Sequence, residues 1–234
     1  ENCTVGIIGL GYVGLPLALE IAKQQKCLLT KNKLERIVYG YDINQNRVKE
    51  LSRGIDRNKI FSKEQIKKVK KIRFVSDKNL LKNVDVFIIT VPTPITHKNE
   101  PNLIYIKESS ELVGELIGDI EKKLINPIII YESTVYPGLT EEICIPIIEK
   151  RSNKKHNAEN FKNSFYCGYS PERINPGDTK HTIDSITKVT SGCNKKVANW
   201  INSFYGSFIT GGTFQASSIK VAEAAKIIEN TQRD

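Results

Sequence analysis

The sequence predicts an α/β protein built on a doubly wound parallel sheet. Short apolar runs rich in β-branched residues alternate with amphipathic helical stretches along the chain. Runs such as Val86–Ile89 contain no alternating polar residues, so we expect strands that are covered by helices on both faces. The alternation of strands and helices is typical of this fold class.

The elements follow one another in a regular order. Strands are expected at residues 3–9, 37–42, 72–75, 85–91, 127–133, 165–170, 188–191 and 207–210. Helices are expected at residues 15–25, 44–53, 63–70, 104–123, 140–150, 194–204 and 216–234. The polar segment 151–162 is expected to be an exposed loop. No strand follows the last helix, so residues 1–215 are assigned to one domain and 216–234 to the truncated start of another.

Composition narrows the functional classes. The chain has 234 residues and a net charge of +9, and its lysines are scattered as on solvated helix faces. Without interleaved aromatic and basic residues we expect no nucleic-acid partner. No apolar run reaches the roughly 18 residues of a membrane span, and no signal peptide opens the chain, so a cytoplasmic protein is expected. The five cysteines form no CxxC pair, which predicts reduced thiols and no metal site.

A glycine motif connects the first strand to the first helix. Gly9 permits a tight turn, Gly11 lets the backbone approach a pyrophosphate, and Gly14 lets the helix pack closely on the strand. The free N–H groups of the helix N-terminus, with Tyr12 and Val13 in the same loop, would then face the phosphates. This spacing, in this context, is the fingerprint of dinucleotide-binding Rossmann folds.

An acidic residue ends the second strand. Asp42 is placed to accept hydrogen bonds from ribose hydroxyls and to repel a 2′-phosphate, which favours NAD over NADP. The alternative is a turn aspartate that caps the next helix. The spacing from Gly14 to Asp42 is longer than usual, and residues 23–36 are expected to hold the extra loop. Arg47 either lies on the adenine side or is an ordinary surface arginine.

Three further motifs follow strands, at residues 90–94, 132–135 and 170–173. Ligands of open α/β sheets bind outside the carboxyl ends of the strands, so these hydroxyls, prolines and carboxylates suggest a cofactor and substrate crevice. Each motif by itself is also compatible with a turn that only ends its strand. The cofactor contacts are expected from Val91, Pro92, Thr93 and Thr134.

The last helix has two different faces. Lys226 and Asn230 are four residues apart and share a face, with Glu223 one turn earlier. The opposite face carries small and apolar residues, namely Val221, Ala224, Ala225 and Ile228. The polar face is either a solvated stripe with a Glu–Lys pair or a lysine and an amide directed into the crevice.

These motifs together resemble the UDP-glucose/GDP-mannose dehydrogenase family. The matching strings are GLGYVGLP at 9–16, VPTP at 91–94, ESTVYPGLTEE at 132–142, YSPERINPGD at 169–178 and AEAAKIIENTQRD at 222–234. The string at 169–178, followed by His181, Thr182 and Ile183, is most similar to the branch that oxidises UDP-N-acetylglucosamine or UDP-N-acetylgalactosamine. The resemblance implies a Rossmann-type NAD-binding domain, a homodimer or higher homo-oligomer formed through the last helix, and a role in surface polysaccharide biosynthesis.

The family resemblance also implies residue roles. Members oxidise the sugar C6 alcohol to a carboxylate in two NAD-dependent steps, through a thioester on a catalytic cysteine. By correspondence, Thr134 positions water, Glu172 acts as a base or supports thioester hydrolysis, Lys226 stabilises an oxyanion at C6, and Asn230 supports it with a hydrogen bond. The turn 9–14 and Asp42 hold NAD.

Two departures from the family pattern are visible. Pro176 stands where UDP-glucose enzymes carry a second acid, which argues against UDP-glucose as substrate. None of the five cysteines lies in the family's GxC context, so the catalytic cysteine and a UDP-sugar-binding domain are expected beyond residue 234, and the chain alone is expected to bind NAD without completing the reaction. The sugar epimer stays open. Two alternatives are a two-electron β-hydroxyacid dehydrogenase and a non-catalytic NAD-binding module.

Overall fold

A computed structural model describes residues 2–98, 100–118, 126–158, 163–173 and 183–233, without the side chains of Asn230 and Arg233. The predicted positions Pro176, His181 and Thr182 lie outside these residues.

The strands form one mixed sheet. In chain order they are β1 (Thr4–Ile8), β2 (Ile37–Tyr41), β3 (Ile72–Val75), β4 (Val86–Ile89), β5 (Ile128–Tyr131), β6 (Lys155–His156), β7 (Ser164–Tyr169), β8 (Lys188–Gly192) and β9 (Thr213–Gln215). The order across the sheet is β3-β2-β1-β4-β5-β7-β8-β9, and the short β6 pairs with β7 outside this path. The described pairings are parallel except that of β7 with β8. The strand order reverses beside β1, which is the switch point where such sheets bind ligands.

Helices connect the strands and cover both faces. They are α1 (Gly14–Lys23), α2 (Gln45–Ser52), α3 (Lys63–Lys68), α4 (Ile104–Gly118), α5 (Ile145–Ser152), α6 (Lys195–Gly206) and α7 (Ile219–Arg233). A 3₁₀ turn (Lys78–Leu81) precedes β4, and a π-helical turn (Thr140–Cys144) leads into α5.

The core has two layers, one on each side of the sheet. Because successive strand residues point to opposite faces, Ile7 packs with α1 and α6 whereas Ile8 packs with α4, α5 and the start of α7. The strands β4 and β5 are buried on both faces, as their continuous apolar runs predict.

Local polar contacts fix where several helices begin. The Asn44 side chain accepts the N–H groups of Asn46 and Arg47 and so caps α2. Ser62 and Gln65 form a reciprocal capping box at the start of α3. These caps place α2 directly after the carboxyl end of β2.

The α/β class and the parallel sheet are confirmed, but two predicted segments are wrong. No strand forms at 207–210: Phe208 and Ile209 are buried in the turn after α6, and the strand lies instead at Thr213–Gln215. The predicted loop 151–162 contains the end of α5 and the strand β6. An apolar pair that fills the core below a turn gives the same sequence signal as a short buried strand. The domain boundary at residue 215 stays a prediction.

Candidate functional site

The glycine turn lies at the carboxyl end of β1. Gly9 has a φ of +95°, which favours glycine, and its N–H donates to the Tyr41 carbonyl at 2.8 Å. A Cβ added at Gly14 would lie 1.9 Å from the Gly9 carbonyl oxygen, whereas a Cβ at Gly11 would meet no atom within 4 Å. Gly14 is therefore needed for packing, and Gly11 leaves an open surface that a ligand can approach.

Asp42 is tied to this turn. Its carboxylate accepts the N–H of Leu10 at 2.9 Å and that of Asn44 at 2.8 Å. Since Asn44 itself caps α2, the alternative in which Asp42 is the helix cap is wrong. Each carboxylate oxygen carries two lone pairs, so Asp42 retains acceptor capacity for hydroxyl groups.

Arg47 also supports the turn. Its Nε donates to the Leu10 carbonyl at 3.0 Å, and its Nη1 pairs with Asp56 at 2.8 Å. The side chain is only 5% exposed, so the interpretation as an ordinary surface arginine is wrong. The buried Nη2 has no hydrogen-bond partner among the described residues. Arg47 thus holds the backbone of the turn through the Leu10 carbonyl. That Arg47 lies beside the adenine stays a prediction.

The loops after β4 and β5 are joined at the same edge of the sheet. The Thr93 hydroxyl donates to the Thr134 carbonyl at 2.6 Å, and the Ser133 hydroxyl donates to the Val91 carbonyl at 2.6 Å. The Thr134 side chain and Pro92 are exposed, while Val91 and Thr93 are partly buried. The structure therefore brings the predicted cofactor contacts of both loops together.

Glu172 and Lys226 meet although 54 residues separate them in sequence. The Lys226 ammonium donates to the backbone carbonyl of Glu172, and Arg173 pairs with Glu229 of α7 at 2.8 Å. Helix α7 therefore lies against the loop that follows β7. Asn230 belongs to this helix, but its side chain is outside the described atoms.

A buried charged cluster lies below Glu172. The Lys188 ammonium is 2.8 Å from the Glu132 carboxylate and 3.0 Å from that of Glu172, and the Tyr205 hydroxyl donates to Glu132. Burial raises the pKa of Glu132 and also that of Tyr205. Burial alone would lower the pKa of Lys188, but the two carboxylates outweigh it and the pKa is raised, so Lys188 is charged.

No sequence pattern indicates Lys188 or Tyr205, although both are buried. Lys188 looks like one more of many lysines, and Tyr205 looks like an apolar residue of an amphipathic helix. Strand β8 reads Lys-Val-Thr-Ser-Gly and has no continuous apolar run, so nothing in its sequence shows that Lys188 is covered and needs a partner.

Glu223 is buried and does not lie on a solvated face of the last helix. Its side chain is fully buried, and its carboxylate accepts the N–H groups of Gly138 at 2.6 Å and Thr140 at 3.0 Å. The solvated Glu–Lys stripe on α7 is therefore wrong. On the opposite face Val221 is 49% and Ile228 is 59% exposed. Glu223 instead fastens α7 to the turn that follows Thr134.

The cysteines are not activated nucleophiles. Cys27, Cys144 and Cys167 are buried. Burial raises the pKa of Cys3, Cys167 and Cys193, and raises that of Cys144 to about 11. Among the described residues, no three potential metal ligands cluster, and no helix is long and apolar enough to cross a bilayer.

The fold and the site define a dinucleotide-binding α/β domain, because a GxGxxG turn and an acidic residue flank the switch point of a parallel sheet. Residues 3–209 match the profile of the UDP-glucose/GDP-mannose dehydrogenase family, NAD binding domain. The chain therefore belongs to this family, and its cofactor is NAD. This family assignment contradicts the alternative prediction of a β-hydroxyacid dehydrogenase.

Individual relatives agree with this assignment. The whole chain is 47% identical to a UDP-N-acetyl-D-glucosamine 6-dehydrogenase from Pseudomonas aeruginosa and 45% identical to one from Salmonella typhi, covering 50% of each. The structure of a UDP-D-ManNAc dehydrogenase from Pyrococcus horikoshii superposes with a TM-score of 0.79 at 28% identity, over 98% of this chain and 50% of that one. The chain thus spans about half the length of the curated relatives it matches.

Proposed function

We propose that the whole protein oxidises the C6 alcohol of a UDP-N-acetylhexosamine to the uronate. UDP-N-acetylglucosamine is the first candidate substrate. The observation that carries this proposal is the identity of 47% and 45% over the whole chain to two UDP-N-acetyl-D-glucosamine 6-dehydrogenases. In this reaction one alcohol, two NAD⁺ and one water give one carboxylate, two NADH and three protons. The conversion of the alcohol to a carboxylate therefore needs both a hydride acceptor and a positioned water.

The chain's own residues fit the cofactor. NAD accepts the hydride when it is bound. Gly11 leaves space for the pyrophosphate to approach the backbone, and Asp42 offers its carboxylate to the ribose hydroxyls. We assign further contacts to Tyr12, Val13 and Gly14 of the turn, to Arg47 beneath it, and to Val91, Pro92, Thr93 and Thr134 across the crevice.

The proposed catalytic groups come from three elements. The Lys226 ammonium stabilises the negative charge that develops on the C6 oxygen, and Asn230 on the same helix adds a hydrogen bond. Glu172 takes up a proton or supports thioester hydrolysis, and the exposed Thr134 hydroxyl orients the water. The contact of Lys226 with the Glu172 backbone supports a shared site.

We extend the proposal to assembly and cell biology. The exposed Val221, Ile227 and Ile228 of α7 support a homodimer or higher homo-oligomer that buries this face. Use of NAD and of a nucleotide sugar is consistent with a cytoplasmic enzyme that supplies uronates for surface polysaccharide.

The test is the formation of NADH by the whole protein with UDP-N-acetylglucosamine, its galacto epimer, and UDP-glucose. Lys226→Ala is compared with Lys220→Ala, because Lys220 lies on the same helix but is exposed and pairs with Glu142. We expect two NADH per N-acetylated sugar and none with UDP-glucose. Loss of Lys226 should lower kcat by about 10²–10³-fold, as for other oxyanion donors, whereas the Lys220 variant should match the wild type.

Two results would contradict the proposal. NAD binding without oxidation of any of the three sugars would favour the non-catalytic module. Equal effects of the Lys226 and Lys220 variants on kcat would remove the oxyanion role.

A further inference from the structure

The cluster of Glu132, Lys188 and Glu172 contains one more carboxylate than its single ammonium can neutralise. Lys188 and Glu132 have side chains only 4% and 0% exposed, and the Glu172 side chain, in the loop after β7, is 9% exposed. Buried ionic groups cost free energy unless each finds a partner, so three of them in contact beside the carboxyl ends of β5 and β7 call for a physical explanation.

The geometry shows how the three groups divide their contacts. Lys188 gives one N–H to each carboxylate, and Glu132 receives a second hydrogen bond from Tyr205. The other Glu172 oxygen accepts the N–H of Arg173 at 2.7 Å. Glu132 therefore neutralises and orients Lys188, and Lys188 in turn reaches the carboxylate of Glu172, which is the more exposed of the two.

Resting on the proposed function, we propose that Lys188 is a positioning residue, which holds the Glu172 carboxylate charged and fixed in direction, with Glu132 as its buried counter-charge. Lys188 touches no open surface, so it acts on the reaction only through Glu172. A carboxylate that must take up a proton during catalysis has to be ionised beforehand, and an ammonium at 3.0 Å secures this state.

Other charged and titratable groups face Glu172 from each neighbouring element. They are Glu132 after β5, Lys188 on β8, Tyr205 on α6, and Lys226 with the Arg173–Glu229 pair beside α7. Glu132 is the like charge of this set, and Lys188 is the cation that contacts the Glu172 carboxylate itself. Removing the charge of Lys188 should thus make Glu172 harder to ionise, and removing the charge of Glu132 should make it easier to ionise.

The experiment records kcat against pH for the whole protein. Lys188→Met should move the acid limb to higher pH by about 1–3 units, the size of the effect of an opposite charge nearby. Glu132→Gln should move it to lower pH, because Lys188 then serves Glu172 alone. Lys188→Arg should restore most of the wild-type profile, and Lys195→Met, which changes an exposed lysine on α6, should leave it unchanged.

A second variant covers the case in which Lys188→Met does not fold. In the double variant Glu132→Gln with Lys188→Met, no two carboxylates are left facing each other, and we expect a folded enzyme whose acid limb is still raised. Shifts of the same sign for Lys188→Met and Glu132→Gln, or a loss of kcat without any shift, would overturn the proposal and leave a purely structural role.

The ionisation of Glu172 is also measured directly, which separates this inference from the proposed function. The carboxyl ¹³C resonance of Glu172, assigned by its absence in Glu172→Gln, is titrated in the same variants. If the whole protein oxidises no nucleotide sugar, the proposed function fails, yet opposite shifts of this titration still support the role of Lys188. Titrations that coincide in all variants overturn it.

Discussion

Replacing Gly14 or Gly11 of the turn after β1 by alanine should impair the protein in different ways. Gly14→Ala should lower its stability, and Gly11→Ala should lower its affinity for NAD. In Gly14→Ala the new Cβ would lie 1.9 Å from the Gly9 carbonyl oxygen and 2.4 Å from the Thr90 hydroxyl. Neither atom is the end of a long flexible side chain, so the start of α1 must move away from β1. In Gly11→Ala the new Cβ meets no atom within 4 Å, and φ is not positive there.

The magnitudes follow from these distances. Overpacking of this kind costs about 1–3 kcal/mol. For a chain of this size each kcal/mol lowers Tm by about 2–4 °C, so Gly14→Ala should lower Tm by about 2–12 °C. Gly11→Ala should change stability by less than about 0.5 kcal/mol. Its methyl group would stand where we propose that the pyrophosphate approaches the backbone, so NAD affinity should fall about tenfold or more, or ~1.4 kcal/mol.

The assay combines thermal unfolding without cofactor and calorimetric titration with NAD. The expected pattern is a large drop in Tm for Gly14→Ala and a loss of affinity at normal Tm for Gly11→Ala. A Gly11→Ala variant that binds NAD as the wild type does, or a Gly14→Ala variant with unchanged Tm, would refute the assignment of these two roles.

Two further predictions concern acidic residues. Asp42→Asn keeps an oxygen for the Leu10 N–H but removes the charge that, in the proposed site, repels a 2′-phosphate. Calorimetry should show the preference for NAD over NADP falling about tenfold (~1.4 kcal/mol). Asp77→Asn, after the neighbouring strand, is the control, and an unchanged preference in Asp42→Asn would contradict the role of Asp42. Glu223→Ala leaves the buried N–H groups of Gly138 and Thr140 unpaired and should lower the free energy of unfolding by about 2–4 kcal/mol, measured by urea denaturation. The exposed Glu142→Ala should cost less than about 0.5 kcal/mol, and a similar cost for both variants would show that the buried contact is unimportant.

The parts that sequence predicts best are those whose signal is local. Continuous apolar runs mark β4 and β5, and the glycine spacing marks the turn at Gly9 because a tight turn, a close approach and a packing contact each exclude a side chain. Asp42 follows from its position at the end of β2, which the sheet then places beside the turn.

The parts that sequence predicts poorly depend on distant partners. Strand β9 consists of Thr213, the exposed Phe214 and Gln215, so it has no apolar pattern. The buried Phe208 and Ile209 after α6 give the sequence signal of a strand although none forms there. The contacts of Lys188 reach across 16 and 56 residues. No local pattern says which of many carboxylates a lysine will face, because that choice is made by the packing of β8 beside β7.

The reversed direction of β8 has a consequence for how the domain tolerates change. The parallel strands reach the crevice through loops that follow them, and loops accept insertions with small structural cost. Strand β8 runs the other way, with Tyr169 opposite Ser191, so its first residue, Lys188, already lies at that edge. A shift of one residue in this strand would turn the ammonium to the other face of the sheet. The number of residues in the ladder of β8 is therefore constrained, because one residue more or fewer would take the ammonium away from Glu132 and Glu172.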